Sequence, residues 1–276
     1  MKIKKILSAG LVLALTTGLS GCVVPFFGSD GDSSPTPKSG TSRRSGGAST
    51  NDQAKAQINL AAALLMEGEY QKALPELMKA KELDPKSADV ENFLGLSYYG
   101  MKEYSLAIES YQKALKLNSK RTDVHNNLGL VYLAQRDYDK ALEEFNTCLK
   151  DLTYQKKQLP LSNIGLTYLE MGRYEEALTS LTRATEVAPD YGKSYQLIGR
   201  VYLAQGKNKE AVDYLNNGAK LDPGDPETFM ALGDAHTKLG QKEEAAQSYS
   251  RAASLAPNSP LALEAQKRAR RVMGFE

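Results

Sequence analysis

The chain has no tryptophan, and only two cysteines and two histidines among its 276 residues. Cys22 and Cys148 lie far apart in sequence, as do His125 and His236, so no His/Cys cluster has the spacing that a metal site needs. No glycine-rich loop follows a strand pattern in the way that phosphate cradles require. An excess of one charge is also lacking. There are 35 basic and 33 acidic side chains, and loss of a leader carrying Lys2, Lys4 and Lys5 would bring the net charge from +2 to near −1. Such a balance leaves little to neutralise phosphates and argues against a nucleic-acid partner. These absences predict no catalytic residue, no metal, no cofactor and no small-molecule substrate.

Long apolar runs are missing as well, apart from a short one at the start. Lys2, Lys4 and Lys5 precede the mostly apolar stretch Ile6 to Leu15, which is too short to span a bilayer. The following Leu19-Ser20-Gly21-Cys22 resembles a bacterial lipobox. That resemblance implies cleavage before Cys22 and acylation of its sulfur and new amino group, whereas an ordinary signal peptide would leave Cys22 incidental. Each buried methylene contributes about 0.8 kcal/mol, so two or three chains anchor stably where one does not. Val23 after the cysteine is compatible with sorting to the outer membrane, facing the periplasm. Residues 1–21 are thus read as a leader and 22–53 as a lipidated cysteine with a polar tether. The Gly, Ser, Thr, Pro and Asp of this tether bury too little surface to offset their ordering entropy. With Cys22 acylated, Cys148 has no disulfide partner and reads as a small packing residue.

Periodicity fills the rest of the chain. Gly95, Gly129, Gly165, Gly199 and Gly233 recur at intervals of 34, 36, 34 and 34 residues, with Ala61 one repeat earlier. Ala73, Ala107, Ala141, Ala177, Ala211 and Ala245 follow about twelve positions later, and Pro85, Pro189, Pro223 and Pro257 close four of the units. This period resembles that of the tetratricopeptide repeat. Six units lie at 54–87, 88–121, 122–155, 158–191, 192–225 and 226–259, each reading as two antiparallel helices. The glycine and the alanine must be small where the two helices cross, and Tyr98, Tyr132, Tyr168 and Tyr202 should fill the gap to a neighbouring unit. Residues 260–276 read as a capping helix. Pro75, inside the second helix of the first unit, is expected to kink or loosen that repeat. The fold class is all-α: a right-handed superhelical solenoid of six repeats with a C-terminal cap.

In the resemblance, the first helix of each unit lines a concave face. One and four positions after the glycine stand Leu96, Tyr99, Leu130, Leu133, Leu166, Leu169, Arg200 and Leu203, an apolar stripe that turns polar towards the C-terminus. Two readings stand: an open groove for an amphipathic helix or peptide, or inter-repeat core. A carboxylate clamp is rejected, because Asp89 and Asp123 occupy positions where lysines would be wanted and Asn59, Asn127 and Asn163 read as structural. Lys267, Arg268, Arg270 and Arg271 could serve an acidic partner, but a wet cap face is the simpler reading.

Lipobox, tether and six repeats together resemble the type IV pilus pilotin (PilF/PilW-like) family. Its most specific mark is the widened spacing through Leu149-Lys150-Asp151-Leu152-Thr153-Tyr154-Gln155, followed by Leu161-Ser162-Asn163-Ile164-Gly165. The resemblance implies a secretin or pilus-assembly partner held in the groove. Paired cysteines common in that family are absent here, with Leu133 and Thr167 near those places. An adaptor for outer-membrane barrel assembly or for peptidoglycan hydrolases is the alternative.

Overall fold

The computed structural model describes residues 49–275, and every regular element among them is an α-helix. The leader, Cys22 and residues 23–48 of the tether lie outside the described residues. Helix α1 (Thr50–Met66) pairs with α2 (Tyr70–Leu83), α3 (Ala88–Gly100) with α4 (Tyr104–Leu117), and α5 (Thr122–Ala134) with α6 (Tyr138–Lys150). Past the wide junction, α7 (Gln158–Glu170) pairs with α8 (Tyr174–Val187), α9 (Gly192–Ala204) with α10 (Asn208–Leu221), and α11 (Pro226–Lys238) with α12 (Lys242–Leu255). A last helix, α13 (Pro260–Val272), packs on α12. Odd-numbered helices up to α11 are called A helices below, and even-numbered ones B helices. The first A helix begins inside the stretch read as tether, because Ser49 accepts a hydrogen bond from the Asp52 amide at 3.2 Å and caps it.

Local chemistry ends each A helix in the same way. The backbone N–H that opens the B helix reaches back five residues: Glu103 to the Tyr98 carbonyl at 2.8 Å, Asp137 to Tyr132 at 2.9 Å, and Arg173 to Tyr168 at 2.8 Å. This closure needs a left-handed residue in the turn. Gly172, Gly206 and Gly240 supply it in the later repeats, whereas Lys102 and Arg136 adopt it at φ of 63° and 61°.

The close crossing of A and B helices has a more definite cause than two small residues meeting. A Cβ on Gly129 would lie 2.6 Å from the Phe145 ring, and one on Gly165 would lie 2.5 Å from Leu181 Cγ. The same relation joins Gly95 to Tyr111 and Gly199 to Leu215. The large side chain sixteen residues on therefore seats directly against the glycine backbone, and Ala141, Ala177 and Ala211 are fully buried beside it. Pro75 does not break α2. It lies on the exposed side of that helix, as does Gln71, whose carbonyl it leaves unbonded, while Ala73, Leu77 and Ala80 are fully buried on the other.

Cores run across repeats. One cluster joins Leu65, Leu77, Leu94, Tyr111 and Val124, drawn from α1 to α5, and Tyr99 and Tyr132 pack against both this cluster and the next. The repeat tyrosines also fold over their own turns: Arg173 lies 4.7 Å from the centroid of the Tyr168 ring and Lys140 lies 5.3 Å from that of Tyr132. Replacing Gly129 with leucine should destabilise the chain by about 1–3 kcal/mol or more through overpacking. Adding Phe145→Ala should recover part of that loss in a double-mutant cycle read by thermal unfolding.

Candidate interaction surfaces

Successive A helices touch one another, α1 to α3, α3 to α5, α5 to α7, α7 to α9 and α9 to α11, while the B helices make no comparable contacts along their row. The A helices therefore line the inner, concave side and the B helices splay on the outer one. This arrangement brings side chains one repeat apart into a polar ladder on the inside. Asn127 Nδ2 donates to Asn92 Oδ1 at 3.2 Å, Asn163 Nδ2 donates to Asn126 Oδ1 at 2.9 Å, and the Ser162 and Ser194 hydroxyls share a bond of 2.9 Å. Towards the C-terminus ion pairs continue it: Lys193 with Glu227 at 2.7 Å, Arg200 with Glu170 at 3.5 Å, and Arg268 of α13 with Asp234 at 2.6 Å. Burial alone would push the Glu227 carboxyl up, but the Lys193 ammonium beside it outweighs this and holds it below its ordinary value.

Arg121 engages two carboxylates of the set. Its Nε and Nη2 donate to Asp123 at 2.8 and 2.7 Å, and Nη1 donates to Asp89 in α3. Arg121 is 12% exposed and Asp123 8%, so water screens the pair less than it does a surface bridge. The Asp123 hydrogen bond is the main reason the guanidinium is held above its ordinary value. Both aspartates that stand in place of clamp lysines are thus engaged within the solenoid. Asn127 and Asn163 are inter-repeat bolts, and Asn59 is exposed.

The expected binding stripe separates into two parts. Leu96, Leu130, Leu133 and Leu166 are 2, 5, 3 and 8% exposed and belong to the inter-repeat core. The A-to-A contacts close the space over these four leucines, so they offer no open apolar groove. Tyr99, Leu169 and Leu203 stay half-buried, and Arg200 is half-buried beside Glu170. Burial, then Tyr104 and Tyr70, push the Tyr99 phenol up to about 12. The inner face left open is of mixed polarity, and its ladder was not visible in the sequence. The only sign was a set of polar residues recurring one repeat apart.

The isolated histidines have structural partners: His125 Nδ1 lies 2.7 Å from Glu144 Oε2, and His236 Nδ1 lies 2.8 Å from Gln241 Oε1. Cys148 is fully buried and donates to the Thr122 carbonyl at 3.3 Å, and burial pushes its thiol up to about 12. It packs where four other repeats place Ala80, Ala114, Ala184 and Ala252. Among the described residues no group of three His, Cys, Asp or Glu converges as a metal site would, and no described helix is long and apolar enough to cross a membrane.

The wide junction is organised by Asp151. Its carboxylate accepts from Thr122 Oγ1 at 2.5 Å, from the Thr153 amide at 2.9 Å and from Thr153 Oγ1 at 2.7 Å. Tyr154 is half-buried behind it, with its hydroxyl in the interior.

Tetratricopeptide-repeat models match residues 54–87, 95–136, 122–151, 158–222 and 197–260. Together they cover well over half of the chain, which is a tetratricopeptide-repeat protein. Among curated proteins none matches it. Among solved structures, PilF of Pseudomonas aeruginosa is 23% identical at a TM-score of 0.61, over 79% of this chain and 98% of that one. PilW, described as a widely conserved type IV pilus biogenesis factor, is 18% identical at 0.64, over 76% and 97%. A tetratricopeptide repeat protein from Parabacteroides merdae is 19% identical at 0.68, over 78% and 84%. At these identities the likeness establishes the fold.

The Asp151 carboxyl is held down from its ordinary 3.8 to about 2, chiefly by the Thr122 hydroxyl and then by Thr153. A depressed folded value means that its stabilisation is present above 3.8 and is lost as pH falls through about 2. Asp151→Asn should therefore lower the unfolding temperature near neutral pH, and the gap from the parent chain should narrow below 3.8 and close near 2. A gap that persists at the acid end would contradict this assignment.

Proposed function

We propose that this scaffold acts in the bacterial envelope, anchored by acyl chains on Cys22, and assists secretin assembly or pilus biogenesis. A tetratricopeptide solenoid presents surface to a protein partner and carries no reaction centre of its own. The observation that supports the pilus reading is the junction at Asp151 to Tyr154 within a solenoid that PilF and PilW match over 98% and 97% of their lengths. The Leu19-Ser20-Gly21-Cys22 ending supports the anchor.

The partner segment lies along the A helices, past Tyr99, Leu169 and Leu203 and the Arg200–Glu170 pair. This inner face suits a segment that mixes apolar and charged side chains better than a wholly apolar helix, because Leu96, Leu130, Leu133 and Leu166 are already spent in the core. Arg200 is the natural first contact for an acidic side chain, since its 3.5 Å approach to Glu170 leaves donors free.

Two measurements test the proposal. Cys22→Ser should move the protein from the membrane to the soluble fraction, and retention in the membrane would remove the anchor. Capture from detergent-solubilised envelope should recover secretin, and Arg200→Glu with Leu203→Glu should abolish that capture at unchanged helicity. Recovery of barrel-assembly components or murein hydrolases instead would place the chain with those machines. Unaltered secretin multimers and surface pili after deletion would end the pilus reading.

A further inference from the structure

The outer face holds a built site that owes nothing to the anchor or the inner surface. At the fourth position of the last three repeats stand Leu161, Tyr195 and Phe229, apolar or aromatic side chains. Phe229 packs between the cores of the last two repeats, with the Arg251 guanidinium 5.7 Å from its ring centroid. The third repeat uses His125 there and ties it to Glu144. The second repeat has Glu91 at this position, and Ser110 where the third has Glu144.

That exchange leaves a cleft of about 220 Å³ between α2 and α4, walled by Met78, Leu94, Tyr98 and Leu106. Met78 and Leu106 are 49% and 42% exposed at its rim. Glu91 lines it, 4% exposed, with one carboxylate oxygen on Lys81 at 2.7 Å and the other, Oε2, buried without a partner. Lys113 stands in the second repeat where Arg251 stands in the sixth, and it pairs with Glu109 at 2.7 Å.

We propose that this cleft receives the side chain of a tyrosine presented by a partner polypeptide. The ring takes the place that Phe229 fills in its own repeat, against the Met78 and Leu106 side chains. Lys113 meets its face as Arg251 meets Phe229. The phenolic O–H donates to Glu91 Oε2, giving a buried acceptor the bond it lacks. Charge selects a neutral donor. Lys81 and Lys113 already balance Glu91 and Glu109, so an incoming cation would add an unpaired buried charge.

N-acetyl-tyrosinamide, titrated against the full chain, should shift the methyl NMR signals of Met78, Leu94 and Leu106 saturably, in the millimolar range expected of so small a ligand. N-acetyl-phenylalaninamide should bind several-fold more weakly and N-acetyl-argininamide should leave these methyls unmoved. Glu91→Phe fills the cleft from within and should abolish the response. Leu106→Glu changes only an exposed wall and should do the same at an unchanged unfolding temperature. Equal binding of the arginine probe, or silence of all three methyls with the tyrosine probe, would overturn the proposal. So would methyl shifts that depend on protein concentration, or on removal of residues 1–48, because the cleft would then be occupied by a second copy or by the chain's own leading segment.

Discussion

One contact recurs in the second to sixth repeats and carries the rest: a large side chain of the B helix seated on the bare backbone of the A helix. Leu181 on Gly165 and Phe145 on Gly129 bring the two helices close enough for the alanines beside them to be sealed from water. Once each pair is locked at this depth, its flanks are flat enough for the next pair to stack, and the core becomes continuous along the chain. The first repeat reaches the same state with Ala61 opposite Leu77, both buried.

Stacking then settles which side of the solenoid is chemically quiet. The inner side is tied from repeat to repeat by Asn127, Asn163, Ser194 and Arg121, groups that would otherwise be natural ligand contacts. On the outer side the B helices make no comparable contacts along their row, and the Lys81–Glu91 pair ties a B helix to the next A helix instead. Function on the inside must therefore use what the ladder leaves over, whereas on the outside a cleft opens in the second repeat, where Glu91 stands in place of an apolar or aromatic side chain.

Much of this was legible in the sequence. Spacing alone implied six helix pairs and their turns, because the glycine and alanine positions answer to one local crossing. The partner of each glycine was harder to see, since the residue sixteen places on varies among leucine, tyrosine and phenylalanine and lies across a turn. Leu96, Leu130 and Leu166 read equally well as groove or as core, because the outcome depends on how near the neighbouring A helix comes, a distance that no single repeat encodes. The tether boundary was misread because the residues after Ser49 are polar, and polarity on an end helix with one free side does not oppose helix formation. Pro75 sits inside a continuous α2, because its missing bond falls on the solvent side.

The two ends of the stack are unequal. At the C-terminus α13 covers α12 and buries Ala262 and Ala265, while among the described residues no element precedes α1, and Leu60 and Met66 are 49% and 74% exposed. Each repeat is held mainly by its neighbours, so among the described residues the first has one supporting interface and an inner repeat has two. A pull applied at the N-terminal end of the chain would load that singly supported repeat first. The stack would then shorten from that side one helix pair at a time, with the cleft between α2 and α4 the first surface to be dismantled and α13 among the last.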